Sequence, residues 1–323
     1  MAVSRLSGLK YLKKAVITFS KVAQIIPENC GRLLAAGMGM LVYLLWRPER
    51  LRIAETLDRI CHRLNRPAYK QPDLLVKKVF IHFALTIYEI MRLPAMTEEV
   101  LKKKVTFHGV ENLEKALKKG RGVILALPHI GNWELFGAAI AARGYRLNSF
   151  YLAQKEDELG GLLDYFRGFS KMRMHDRDRG GIKALKALKA GEVLGMVTDQ
   201  DGANQGVYLD FLGHFVSLPA GPANWSLKTG AILVPVYSLR RGLSDKFDAW
   251  FLPGLKEAKG KNHREKVMNR TTRLTRWMEE LILKNPDQYL WFYDRFKPRH
   301  EKWLARLKQK NGQMFHETVR YES

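Results

Sequence analysis

The chain of 323 residues is long enough to bury a sizeable core, and its 46% hydrophobic content excludes a disordered protein. Fifty-five Lys and Arg against 32 Asp and Glu leave a formal net charge of +23, which suits an anionic partner: nucleic acid, an acidic membrane, an acidic protein or a phosphorylated ligand. Cys30 and Cys61 are the only cysteines, so neither a disulfide framework nor a zinc site is indicated and a reducing, cytosol-facing setting is the default.

From Val16 to Trp46 the sequence is largely apolar, although Lys21, Pro27, Glu28 and Arg32 interrupt it. Its clean stretch, Leu33 to Trp46, falls short of the ~20 residues a spanning helix needs, and no A-x-A-like cleavage site follows. Lys10, Lys13, Lys14 and Lys21 precede it, and Arg47, Arg50 and Arg52 follow. That pattern reads as an interfacial or re-entrant anchor on an anionic leaflet. A single span using all of Val16 to Trp46, or a buried core helix, are the alternatives. Arg50 to Leu64 is amphipathic, and Pro72 opens a further helix to about Arg92.

After Lys104 the pattern changes. RGVILAL (121–127), LNSFYLA (147–153), EVLGMVT (192–198), AILVPVYSL (231–239) and FDAWFL (247–252) have strand length and composition. Between them Ile182, Leu185 and Leu188 recur at helical spacing, with Gly191 as the stop. Arg264 to Lys284 carries Val267, Leu274, Met278, Leu281 and Ile282 on one helical face. Strands alternating with helices predict an α/β domain over 105–300, with a central, mostly buried β-sheet flanked by helices. A helical membrane-anchoring region, 1–104, precedes it, and a basic tail, 301–323, follows.

Ligands in such sheets sit beyond the carboxyl ends of the strands. Two polar groups fall there. In LPHIGNWE (127–134), His129 follows an apolar run and Glu134 stands five residues on. A turn at Pro128 to Gly131 leading into a helix would let the carboxylate fold back to the imidazole, fix its tautomer and raise its basicity. Trp133, Leu135 and Phe136 would line an apolar slot or form core. TDQDGANQG (198–206) places Asp199 and Asp201 in a loop after another strand. A third cluster, MRMHDRDRGG (172–181), crowds Arg173, Arg177 and Arg179 ahead of a helix start, an arrangement suited to phosphate. His175, Asp176 and Asp178 make only a weak metal cluster, and no metal or cofactor is expected. No G-x-S-x-G elbow, G-x-x-x-x-G-K-[ST] loop or H-E-x-x-H helix occurs. The interleaved aromatics of a strand-binding groove are also lacking, which disfavours nucleic acid as the partner.

LPHIGNWE, the segment from Gly191 to Arg240 and NPDQYLWFYDRFKPR (285–299) occur in an order that resembles the bacterial lipid A biosynthesis acyltransferases, the late lauroyl- and myristoyltransferases. The likeness runs from about Leu33 to Arg299. It implies a glycerolphosphate-acyltransferase-like domain on the cytoplasmic face of the inner membrane. It further implies transfer of an acyl chain from an acyl-carrier-protein or acyl-CoA thioester to a hydroxyl of a phosphorylated lipid A precursor. His129 and Glu134 then take the catalytic positions of the H-x4-E motif, Asp199 and Asp201 the DQD element, and Arg177 or Arg179 the basic position. The segment FVSLPAGPA lacks the threonines common before the family's G-P-A element, which leaves chain length and acceptor open. The same resemblance admits a lysophospholipid or glycolipid acceptor.

Overall fold

A computed structural model describes the backbone of residues 2–151, 158–176 and 179–296. The chain opens with helices α1 (Ala2–Ile25), α2 (Glu28–Leu45), α3 (Arg47–Arg63), α4 (Pro72–Arg92) and α5 (Glu98–Lys104). Pro27, which lacks an N–H and cannot continue a helix, separates α1 from α2, so Val16 to Trp46 is not one continuous span. Among the described residues no helix is by itself long and apolar enough to cross a membrane; α2 and α3 together are, but they bend by 88°. The outer side of α1 and α2 exposes Phe19, Ile25, Leu33, Leu34, Leu41 and Leu45. Proline at the first helical position starts α4, where a missing N–H costs nothing.

The α/β part follows as β1 (Val105–His108), α6 (Val110–Leu117), β2 (Val123–Leu127), α7 (Trp133–Ala142), β3 (Leu147–Tyr151), α8 (Glu158–Arg167) and β4 (Arg173–Asp176). Next come α9 (Gly181–Lys189), β5 (Val193–Val197), β6 (Val207–Phe211), β7 (His214–Leu218), α10 (Gly221–Thr229), β8 (Ile232–Arg240), β9 (Phe247–Phe251) and α11 (His263–Lys284). One sheet has the order β1-β9-β8-β2-β5-β3-β4, and β6 pairs with β7 as a separate hairpin. Strands β8, β2, β5, β3 and β4 run parallel, while β9 opposes β8 and carries β1 with it.

The central strands are apolar on both sides because helices cover both faces. Val123 and Leu125 of β2 pack with Leu135, Phe136 and Ala139 of α7, whereas Ile124 and Ala126 face Ala184 and Leu188 of α9 and Leu274 of α11. Each such buried Leu or Ile contributes about 1.5–3 kcal/mol relative to exposure. Ile90, Leu93 and Leu101 of the helical N-terminal part join the α7 side of this core.

All five apolar runs read as strands hold a strand within their described residues, and three further features were not anticipated. Strand β4 has the polar sequence RMHD because it closes an edge and pairs on one side only. Strand β1 is the other edge. The β6–β7 hairpin turns at Leu212 and Gly213, both at positive φ, as tight hairpin turns require. The basic segment 301–323 lies outside the described residues.

Candidate active site

The register of two neighbouring strands builds the site. Leu127 of β2 lies opposite Val197 of β5, so His129 and Asp199, each two residues beyond its strand, emerge side by side. Thr198 N–H donates to the Leu127 carbonyl (2.9 Å) and holds the two exits together. His129 Nδ1 is 2.8 Å from Asp199 Oδ1, and the His129 backbone N–H donates to Asp199 Oδ2 (3.0 Å). A carboxylate bonded to Nδ1 assigns the proton to that nitrogen and leaves Nε2 as the acceptor. Burial pushes the Asp199 carboxyl up, but His129 and the neighbouring Tyr289 hydroxyl outweigh it, and Asp199 ends below the ordinary carboxylate range.

This corrects the expected partnership of His129 with Glu134. Glu134 is buried at the first turn of α7 and faces Arg167 of α8, whose Nε donates at 2.9 Å and Nη2 at 2.5 Å; Trp133 Nε1–H adds a bond of 3.1 Å. The turn does not fold the carboxylate back, because α7 starts at Trp133 and carries Glu134 round towards α8. Burial pulls the Arg167 pKa down, yet the Glu134 carboxylate more than offsets it.

Two features fix the loop between strand and helix. Gly131 has φ +63°, and a Cβ there would lie 2.0 Å from the Ser238 carbonyl oxygen of β8, so only glycine fits. Asn132 caps α7, its side chain accepting the Leu135 N–H at 2.9 Å. The segment after α11 then lies along the loop: Gly131 N–H donates to the Gln288 carbonyl (3.0 Å), and Leu290 N–H to the His129 carbonyl (3.0 Å). Tyr289 in that segment is buried; burial first, and then the Asp199 charge, raise its phenol pKa well above the usual value and keep the hydroxyl protonated.

An apolar cavity of about 550 Å³, its open mouth included, lies between α7 and the sheet. Trp133, Phe136, Gly137, Ile140, Met174 and Gly195 are among its lining residues, and Glu134 and Arg167 supply its charged wall. The Trp133 ring stands edge-on to His129 with centroids 4.8 Å apart. Leu135 points away into the core.

The remaining expected residues lie elsewhere. The Asp201 carboxylate accepts the Ala203 N–H (2.9 Å) and lies 3.9 Å from Arg295, shaping the loop rather than lining the cavity. Arg179 follows edge strand β4, three strands from β2, or ~14 Å at the usual strand spacing. Its side chain is exposed, and its N–H donates to Asp176. Arg177 and Asp178 lie outside the described residues. His175 hydrogen-bonds Asn148 (2.9 Å), and among the described residues no three His, Cys, Asp or Glu converge as metal ligands.

Sequence reading missed Arg167 and Tyr289. Tyr289 stands in a segment already singled out, NPDQYLWFYDRFKPR, but nothing in that segment announces the contact with Asp199. Arg167 had no local signal at all, since α8 and α7 meet only in the fold.

A histidine–carboxylate pair at parallel strand ends, with Trp133 between it and an apolar cavity, is suited to activating a nucleophile beside an apolar group. The family profile of bacterial lipid A biosynthesis acyltransferases matches residues 4–298, and the chain belongs to that family. The chain is similar to the phosphatidylinositol mannoside acyltransferase of Mycolicibacterium smegmatis, 30% identical over 207 residues, which are 63% of this chain and 65% of that protein. It is also similar to the lipid A biosynthesis acyltransferase of Haemophilus influenzae, 22% identical over 233 residues (72% and 71%), and to the lipid A biosynthesis lauroyltransferase of Escherichia coli, 25% identical over 202 (60% and 62%). The chain spans somewhat under two thirds of the length of the mannoside acyltransferases it matches.

Proposed function

We propose that the protein is a membrane-associated O-acyltransferase that moves a fatty acyl chain from an acyl-carrier-protein or acyl-CoA thioester to a hydroxyl of a phosphorylated lipid A precursor. The observation that carries this reading is His129, oriented by Asp199 and standing against Trp133, which lines an apolar cavity with a cationic wall residue, Arg167.

His129 Nε2 takes the proton of the acceptor hydroxyl as its oxygen attacks the thioester carbonyl. Asp199 holds the other nitrogen and stabilises the imidazolium that forms. The tetrahedral oxyanion is met by the free backbone N–H groups at the start of α7, Trp133 and Glu134, and by Arg167; the Gly131 N–H is already taken by the Gln288 carbonyl. Collapse expels the thiolate, which receives the proton from His129. The acyl chain lies along Phe136, Ile140 and Met174, and Glu134 holds Arg167 in place.

The exposed apolar side of α1 and α2, with a net charge of +23, supports contact with the cytoplasmic leaflet of the inner membrane, where such an acceptor resides. A second reading keeps the chemistry and changes the acceptor to a mannosylated phosphoinositide, favoured by the higher identity of the mannoside acyltransferases. Purified protein, lauroyl thioester and each acceptor in turn, read by mass spectrometry, test both. Addition of one acyl chain to the lipid A precursor is expected; acylation of the mannoside alone moves the acceptor assignment, and acylation of neither refutes the proposal.

A further inference from the structure

A buried ionic cluster outside the catalytic pair touches the loop that carries His129. Glu89 of α4 is 2% exposed and accepts from Arg240 of β8 at both carboxylate oxygens, with Nη2–Oε2 at 2.8 Å. Asn132 Nδ2 donates to Glu89 Oε2 (2.8 Å) while its Oδ1 caps α7, so both ends of one amide are committed. A flipped amide would satisfy neither contact. Thr86, one turn earlier in α4, reaches the Gly131 carbonyl at 3.4 Å.

A third charge comes from α2. Arg32 Nη1 stands 3.6 Å from Glu89 Oε1, and burial lowers the Arg32 pKa, with Glu89, Asp245 and Glu28 acting against that and Arg240 with it. Among the described residues, Arg32 Nη1 and Arg240 Nε have no hydrogen-bond partner. Two guanidiniums around one carboxylate, with nitrogens left unpaired, make a poor source of stability; buried ion pairs seldom outperform apolar packing. Their effect here is directional, because the cluster fixes which way Asn132 faces. The helices are in close contact as well: a Cβ on Gly39 of α2 would lie 2.8 Å from the Phe80 carbonyl oxygen of α4.

We propose that Glu89 is a positioning residue for the transfer reaction, acting through Asn132 on the His129 loop, and that Arg32 ties this positioning to the seating of α2. The second half rests on the reading of the outer side of α2 as a lipid-contacting surface. Asn132 links helix start and catalytic loop, so rotation of its amide displaces His129 from Asp199 and the oxyanion donors from the carbonyl. A misplacement of about 1 Å at such a site can cost about a hundredfold in rate.

The test compares the full chain with Glu89→Gln, Asn132→Ser, their double variant and Arg32→Met. Serine still caps a helix but cannot reach Glu89. Donor KM and kcat are measured together with amide hydrogen exchange of the peptide covering residues 129–136. Each of the first two variants is expected to lower kcat by about a hundredfold at unchanged donor KM, and to deprotect that peptide while β2 and β5 keep their protection. The double variant should be no worse than the worse single one, since both break the same link. Vesicles of phosphatidylethanolamine and phosphatidylglycerol should raise loop protection in the wild type and not in Arg32→Met. Additive losses, or deprotection spread evenly over the sheet, overturn the Glu89 role; equal vesicle responses overturn the Arg32 link. Should Glu89→Gln fail to fold, Asn132→Ser alone decides the first point. Hydrogen exchange judges the positioning even if the wild type transfers no acyl group, in which case only the functional reading falls.

Discussion

Replacing Asp199 with Asn removes one charge and reverses one hydrogen bond while preserving shape. The carboxylate lies 2.8 Å from His129 Nδ1, and Asp199 is 2% exposed, so water screens little of the interaction. Unit charges about 4 Å apart at an effective dielectric of about 20 attract by about 4 kcal/mol. That stabilisation applies only once His129 carries the acceptor's proton. At about 1.36 kcal/mol per decade, its loss slows the reaction by about a thousandfold, within the usual range for a general base. Initial rates of thiol release from lauroyl-CoA in the presence of acceptor measure it, with circular dichroism as the check on folding. The corresponding change Glu134→Gln should cost less, lowering kcat through a misplaced Arg167, one oxyanion donor among several, while His129 keeps its bond to Asp199. Since the folded Asp199 pKa lies below its unfolded value, its stabilisation is full above the ordinary carboxylate range near 4 and is lost as pH falls through the lower folded value. The melting advantage of wild type over Asp199→Asn should therefore shrink as pH drops from about 5 towards about 3. A folded Asp199→Asn enzyme with near-normal rates, beside an inactive Glu134→Gln, would return the partner role to Glu134 and refute this reasoning.

Gly131→Ala should destabilise the fold by at least about 1–3 kcal/mol, read as a lowered melting temperature, because φ is positive and the Ser238 carbonyl occupies the Cβ position. Gly195→Met should shorten the preferred acyl chain, since a Cβ at Gly195 meets only ordinary contacts at 3.5 Å or more and its side chain would enter the cavity; competition between lauroyl and palmitoyl donors reads the shift, at about 0.8 kcal/mol per excluded methylene. Leu34→Glu with Leu41→Glu should weaken vesicle flotation at all salt concentrations, whereas high salt alone should weaken the wild type only partly.

Much of the fold was legible because the central strands are buried on both faces and therefore read as unbroken apolar runs. VILAL, VLGMV and ILVPV carry that signal without help from neighbours. Helix α4 announced itself through Pro72, and α9 through Gly191, which takes φ +78° just past the helix end. Edge strand β4 gave no such signal, since a strand paired on one side does not need apolar side chains on both. Arg173 looked like part of a loop for that reason.

The site was half legible, and the missing half is a matter of strand order. His129 and Asp199 each stand two residues past a five-residue strand, so the sequence already holds them at equal offsets. Equal offsets mean contact only if the two strands are neighbours, parallel and in register. In chain order β3 and β4 come between β2 and β5, and only the crossover places β5 directly against β2. Glu134, five residues from His129 in the same motif, was the nearer candidate along the chain and is the wrong one in space. The helix that begins at Trp133 is what separates them: once Asn132 caps it, Glu134 belongs to the helix's first turn and its carboxylate is carried to Arg167. The same cap therefore does two things. It directs Glu134 to the charged wall of the cavity, and it leaves His129 on the loop, free to meet the carboxylate that arrives from β5.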